Sequence, residues 1–176
     1  MPISISGDGS IGSLSATEIG YLDGVTSAVQ TQINGKLTTP GVWTSYTPTW
    51  GGASSNPAIG NGTLVGRYVQ IGTLVIFRIF LQAGSSTTFG SGYWHFNYPP
   101  INRSTNESVL PGINGIMYDA SLNTYSTIFG IFEHSSTQFA LGSAGSAGAA
   151  NAIGSISPMT WATSDLVRIY GIYEAA

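Results

Sequence analysis

Side-chain catalysis needs acids, bases or nucleophiles held within reach of one another, and this chain contains few of them. Its eight carboxylates, Asp8, Glu18, Asp23, Glu107, Asp119, Glu133, Asp165 and Glu174, are scattered without an evident pair. Glycoside hydrolysis requires two such groups opposed across a cleft. Glu133 and His134 place an acid beside a base, but neighbours on a strand point to opposite faces and cooperate poorly. The two histidines, His95 and His134, have no close series of further ligands, and there is no cysteine. Thiolate zinc sites and disulfides are thereby excluded. The expectation is no catalytic residue, no metal and no cofactor.

Two motif matches carry little weight. "GDGSIG", Gly7 to Gly12, fits the G-x-G-x-x-G pattern that cradles a pyrophosphate. That loop works only between a buried strand and a helix of a βαβ unit, and no such pattern follows. The N-x-S/T triplets at Asn61, Asn102 and Asn106 are formal glycosylation sequons. "MPISISGDGSIG" has neither the basic start nor the apolar core of a secretory signal, so these sites are expected to stay unmodified.

Sugar recognition is better provided for. An aromatic ring covers the apolar face of a sugar while amides and hydroxyls take its polar edges, so no charge is needed. "SGYWHFN" offers Tyr93 and His95 on one strand face, opposite Trp94 and Phe96. "MYDASLNTYS" offers Tyr118, Asp119, Asn123 and Tyr125 around a turn. The second group is the preferred glycan site, because a turn presents side chains outward more readily than a strand centre.

Strands must position these residues. From Val42 onward, Thr- and aromatic-rich runs alternate with turn signals at Asn61-Gly62, Gly72, Gly84, Pro99-Pro100, Pro111-Gly112 and Asn123. Eight strands are predicted, near 43–50, 63–71, 73–82, 92–98, 113–119, 125–133, 136–141 and 166–174. That number and spacing suit a β-sandwich or jelly roll. In "TLVIFRIFLQ", Val75, Phe77, Ile79 and Leu81 form one apolar face, while Leu74, Ile76 and Phe80 surround Arg78 on the other. Both faces call for burial, so the outer one is expected to meet another subunit or a covering loop. "LGSAGSAGAANAIGSIS", Leu141 to Ser157, has a linker's composition, unless its Gly and Ala backbone packs closely on the domain or on a neighbour.

The region before Pro40 reads differently. Ser15 and Glu18 form an S-x-x-E capping box that starts a helix at Ala16. Asp23-Gly24 interrupts the pattern and Asn34-Gly35 ends it. Ile19, Leu22, Val25, Val29, Ile33 and Leu37 recur every three or four residues and form one apolar stripe. So short a helix is marginal alone. It either folds back on the β domain or pairs with its own copies in a parallel coiled coil.

Composition favours assembly. Only 7% of the 176 residues are charged, against about a quarter in ordinary domains, which leaves little to solvate a lone surface. Five basic residues, Lys36, Arg67, Arg78, Arg103 and Arg168, in a chain of net charge −3 give no run of the kind nucleic acid requires. No stretch of 18 apolar residues is present to insert in a membrane.

"LSATEIGYLDGVTSAVQTQING" closely resembles a helical module of bacteriophage tail-fibre and other virion proteins, where it often precedes a C-terminal β domain. "YTPTW", "NPAIGNGTLVGRYVQIG" and "FGSGYW" resemble blocks in the β domain of minor tail proteins from phages of actinobacteria. The resemblance covers roughly the first half of the chain; the remainder is similar in style and in its closing "RIYGIYE". It implies a mainly β homotrimer located in the virion. Residues 1–13 would attach to another virion protein and 14–41 would form a coiled-coil stalk. Residues 42–176 would form a β-sandwich or jelly-roll head, for which binding of host-surface glycan, pure decoration and lytic activity are the competing expectations. Leu22, Val25, Val29 and Ile33 would face the threefold axis. A short fibre, a tail-tip component and a capsid decoration all remain open under this resemblance.

Overall fold

The computed structural model describes residues 16–21, 41–104, 112–144 and 150–176, with positions 29, 31 and 35. The chain divides into two compact units, Met1–Pro40 and Gly41–Ala176. In the first, α1 (Ala16–Gly20) begins where the capping box predicts and carries Glu18 in its first turn, the end at which a helix dipole favours an acid. Val29, Thr31 and Gly35 have helical backbone, and Val29 is 48% exposed. Leu22, Val25, Ile33 and Leu37 lie outside the described residues. Among those described, the expected stalk amounts to this short helix and three positions, and no coiled coil is seen.

The second unit is built of strands: β1 (Thr44–Tyr46), β2 (Trp50–Gly52), β3 (Thr63–Ile71), β4 (Leu74–Gln82) and β5 (Trp94–Asn97). There follow β6 (Gly112–Asp119), β7 (Thr124–Ser135), β8 (Gln138–Ala144), β9 (Ala150–Ala152) and β10 (Leu166–Glu174). All pair antiparallel in the order β1-β3-β4-β10-β6-β7-β8-β5-β2, with β9 on β8. The path begins and ends with strands that only Thr47, Pro48 and Thr49 separate in sequence. Four residue steps reach at most about 14 Å, so the sheet must curl until its two edges approach.

The bend lies in β7. Its residues 124–129 pair with β6 and its residues from 128 onward pair with β8. Register shifts after Gly130 and Glu133 bend the strand between the two partners, the usual work of bulges. Hydrogen bonding thus continues from one half to the other, where a sandwich has two separate sheets.

Aromatic rings fill the space enclosed. The Phe77 ring of β4 lies 5.8 Å from that of Phe139 on β8, 6.0 Å from Tyr173 on β10 and 6.1 Å from Tyr98. Trp94 lies between Trp50, which meets it edge-to-face at 4.8 Å, and Trp161, tilted against it at 4.6 Å. Three of the polar handles find partners: the Trp94 and Trp161 indoles donate to the Phe89 and Gly154 carbonyls, and the Tyr173 hydroxyl to that of Ile101. Val75, Phe77, Ile79 and Leu81 are buried as the alternation requires.

One expectation is corrected, and for Leu141 to Ser157 one of two readings is favoured. The predicted strand 43–50 is two strands on opposite edges of the sheet, because Pro48 has no N–H to give a ladder. Of the two readings of Leu141 to Ser157, close packing of its backbone fits the described residues: β8 runs to Ala144, and Gly142 pairs with Ala152 of β9. Leu141 and Ile153 are fully buried there. Tiny side chains conceal a strand from pattern reading, since pairing uses the backbone alone. Residues 145–149 lie outside the described set.

Candidate functional site

The preferred glycan residues meet at the β6–β7 hairpin. Tyr118 stands directly opposite Tyr125 in the ladder, and their rings lie 4.6 Å apart at 33°. Residues 120–123 close the turn, with Asn123 at φ 53°, a left-handed conformation that asparagine adopts more readily than most residues. The Tyr118 hydroxyl donates to Asn123 Oδ1 at 3.0 Å, which fixes both side chains. Tyr125 and Leu122 stay exposed, at 64% and 70%. Tyr118, Asn123 and Tyr125 therefore form one ring platform.

Asp119 does not join it. As the strand neighbour of Tyr118 it points to the other face, and its Oδ1 accepts from Ser121 Oγ at 2.6 Å, Ser121 N at 2.9 Å and Leu122 N at 3.0 Å. The Ser121 hydroxyl, then the Leu122 amide, hold the carboxyl below its ordinary range, outweighing partial burial. A general acid needs the opposite shift. Asp165, fully buried, braces the same loop from below: its Oδ1 accepts from Ala120 N at 2.8 Å and its Oδ2 from Ala162 N at 2.7 Å. Sequence reasoning missed the role of Asp165, because the hairpin residue it braces, Ala120, lies 45 residues away in the chain.

Behind the hairpin, on the side away from the tyrosines, a cleft of about 440 Å³ is lined by Met117, Asp119, Thr124, Ser126, Ser143 and Met159 among others. Ser143 is 3% exposed and its buried Oγ has no hydrogen-bond partner among the described residues. Such an atom costs free energy until something pairs with it. Hydroxyls, a low-lying carboxylate and thioether surface suit a polyol. The hairpin thus offers an exposed ring on one side and a polar cleft on the other.

The other aromatic group is core apart from Tyr93, which is half-buried. Trp94 and Phe96 are fully buried and His95 is 9% exposed, lying across from Gly51, where a Cβ would run into the imidazole ring. The side chains of Glu133 and His134 lie outside the described residues. Among those described, no group of three or more His, Asp or Glu is placed to hold a metal. No helix among them is long and apolar enough to cross a membrane. No protein-family model, curated protein or solved structure matches this chain.

Proposed function

We propose that this chain is a structural, non-enzymatic bacteriophage virion protein, a short homotrimeric tail fibre or receptor-binding appendage. Its β unit would serve as a sandwich-like head that contacts bacterial surface glycan. The observation that carries the reading is the order of elements: a helical segment resembling the phage fibre module, then an antiparallel β unit with the tail-protein-like blocks. Support for self-assembly comes from the surface. At the Gly72 end of β3, β4 and β10, Ile71, Leu74 and Ile172 are 44%, 39% and 42% exposed, an apolar strip suited to burial between copies. Support for glycan contact comes from the Tyr118–Tyr125 platform on its braced hairpin.

A second reading, a trimeric capsid decoration without a receptor role, shares the assembly and drops the glycan. Immunogold labelling of virions separates the two: label at the tail tip supports the fibre, and label over the capsid supports the decoration. An unlabelled virion removes both. The docking partner of residues 1–13 would be identified by cross-linking on the same particles.

A further inference from the structure

Arg67, Arg78 and Arg168 are three of the five basic residues in a chain of net charge −3, and the fold collects them. Arg67 of β3 and Arg78 of β4 are directly opposite, and Arg78 is in turn opposite Tyr170 of β10. Arg168 lies one step along the same face, opposite Phe80. With strands about 4.8 Å apart, these groups rim a single depression of about 270 Å³, shared with Val65, Phe80 and Tyr170.

Like charges directly across a ladder destabilise it, and among the described residues this pair has no acidic neighbour to offset that cost. Around it on the face stand Ser45, Val65, Val69, Ile76, Phe80 and Tyr170. Glu174, on the same face, is four residues beyond Tyr170, about 13 Å along the strand. The guanidinium groups are nonetheless held in place. Arg67 donates to the Trp43 carbonyl at 3.2 Å, Arg78 lies 4.9 Å over the Trp43 ring and Arg168 5.7 Å over Phe80. Those contacts use the rings of Trp43 and Phe80. Tyr170, 53% exposed, has no ring or cation contact among the described residues and remains available.

A second copy of this chain does not suit the depression, since apposing two such faces would gather six guanidinium groups. We propose that it binds a sugar unit bearing an oxyanion, carboxylate or phosphate. The anion would be held by the guanidinium forks of Arg67, Arg78 and Arg168, with the ring lying against Tyr170. Planar forks match both oxyanions, and a tyrosine beside them supplies the flat apolar surface a sugar ring requires. That the sugar belongs to a bacterial surface rests on the virion reading; the site itself does not.

Titration calorimetry on the full chain tests this with tri-galacturonate, glucose 6-phosphate, inorganic phosphate, neutral tri-galactose and oligo-dT. The acidic sugars should bind at least about tenfold more tightly than tri-galactose, and more weakly as salt rises. R168Q should weaken both acidic sugars about tenfold. R78Q should do the same and R78K should restore part of the loss, with melting temperatures confirming that each variant folds. Y170A should weaken the sugars and leave inorganic phosphate unchanged. Equal binding of neutral and acidic sugars, or indifference to R168Q, would overturn the proposal. So would phosphate binding as tightly as glucose 6-phosphate, which marks a simple anion site, or oligo-dT outcompeting both sugars, which marks a nucleic-acid surface. Acidic-sugar binding by a protein absent from virions would remove the bacterial source alone.

Discussion

Gly171 decides how the two halves of the curled sheet fit. It sits opposite Phe77 in the β4–β10 ladder, and a Cβ there would overlap the Phe77 ring, which itself touches Phe139, Tyr98 and Tyr173. Gly171→Ala is expected to destabilise the fold by about 1–3 kcal/mol, as overpacking does, read as a fall in urea midpoint with unchanged slope. An unchanged midpoint would mean the aromatic cluster has room to move. The sequence shows only a glycine inside a strand; its partner, almost a hundred residues away, appears once the register is known. Tyr46 and Tyr173 give a second prediction at this scale. Burial pushes the Tyr46 hydroxyl well above the ordinary range, with Tyr173 adding. Tyr173 is raised by burial first, then by Tyr68 and Tyr98, with Arg103 opposing. A raised folded value means the folded state holds its proton more tightly. The associated stability is therefore complete below about pH 10 and is lost as pH rises beyond it. Because the buried Tyr46 hydroxyl has no partner among the described residues, Tyr46→Phe should cost little at pH 7 and should shrink the loss that sets in above about pH 10. An alkaline profile identical to the parent's would defeat that account.

At the scale of elements, the β6–β7 hairpin separates ligand contact from loop support. Tyr118→Ala with Tyr125→Ala removes the exposed platform and leaves the Asp119 and Asp165 braces intact. On the fibre reading, adsorption to host cells should be abolished while melting temperature and mass stay near the parent's. Asp119→Asn should instead loosen the turn. The lowered carboxyl gives stability that is present above about pH 4 and lost as pH falls through the folded value, so the variant's melting temperature should lose that acid dependence. Unchanged adsorption by an intact double-alanine protein would remove the platform and strengthen the decoration reading. Much of this element was legible. Asn123 marked the turn, and the spacing of Tyr118 and Tyr125 about it placed the rings together. Asp119 falls on the face opposite Tyr118, in the lining of the cleft rather than on the platform, because side chains of strand neighbours alternate. The arginine cluster was hidden for another reason. Arg67 and Arg78 face each other across the β3–β4 hairpin, and Arg168 joins them only because the sheet order inserts the last strand beside the fourth.

For the whole molecule the decisive quantity is the number of chains. The resemblance places Leu22, Val25, Val29 and Ile33 on a threefold axis, and Val29, 48% exposed in the single chain, is the one of the four within the described residues. If three copies meet there, Val29→Asp would bring three carboxylates together in an apolar seam, and Lys36 is the only basic side chain in the first 40 residues. Burying like charges without a partner is costly, so light scattering at neutral pH should fall from about three times the 18.3 kDa chain mass toward the monomer. The sign of the pH effect provides a control that a misfolded variant would fail. Carboxylates crowded in an apolar seam have raised values in the assembled state, so protonation relieves them. Lowering the pH toward about 4, where a free aspartate begins to titrate, should shift the variant back toward trimer. The parent should stay trimeric on dilution to micromolar concentration throughout. A parent that is monomeric at that concentration would dispose of the trimer itself. A trimeric variant with unchanged mass and melting temperature would place Val29 off the axis and leave assembly to the apolar strip of the β unit.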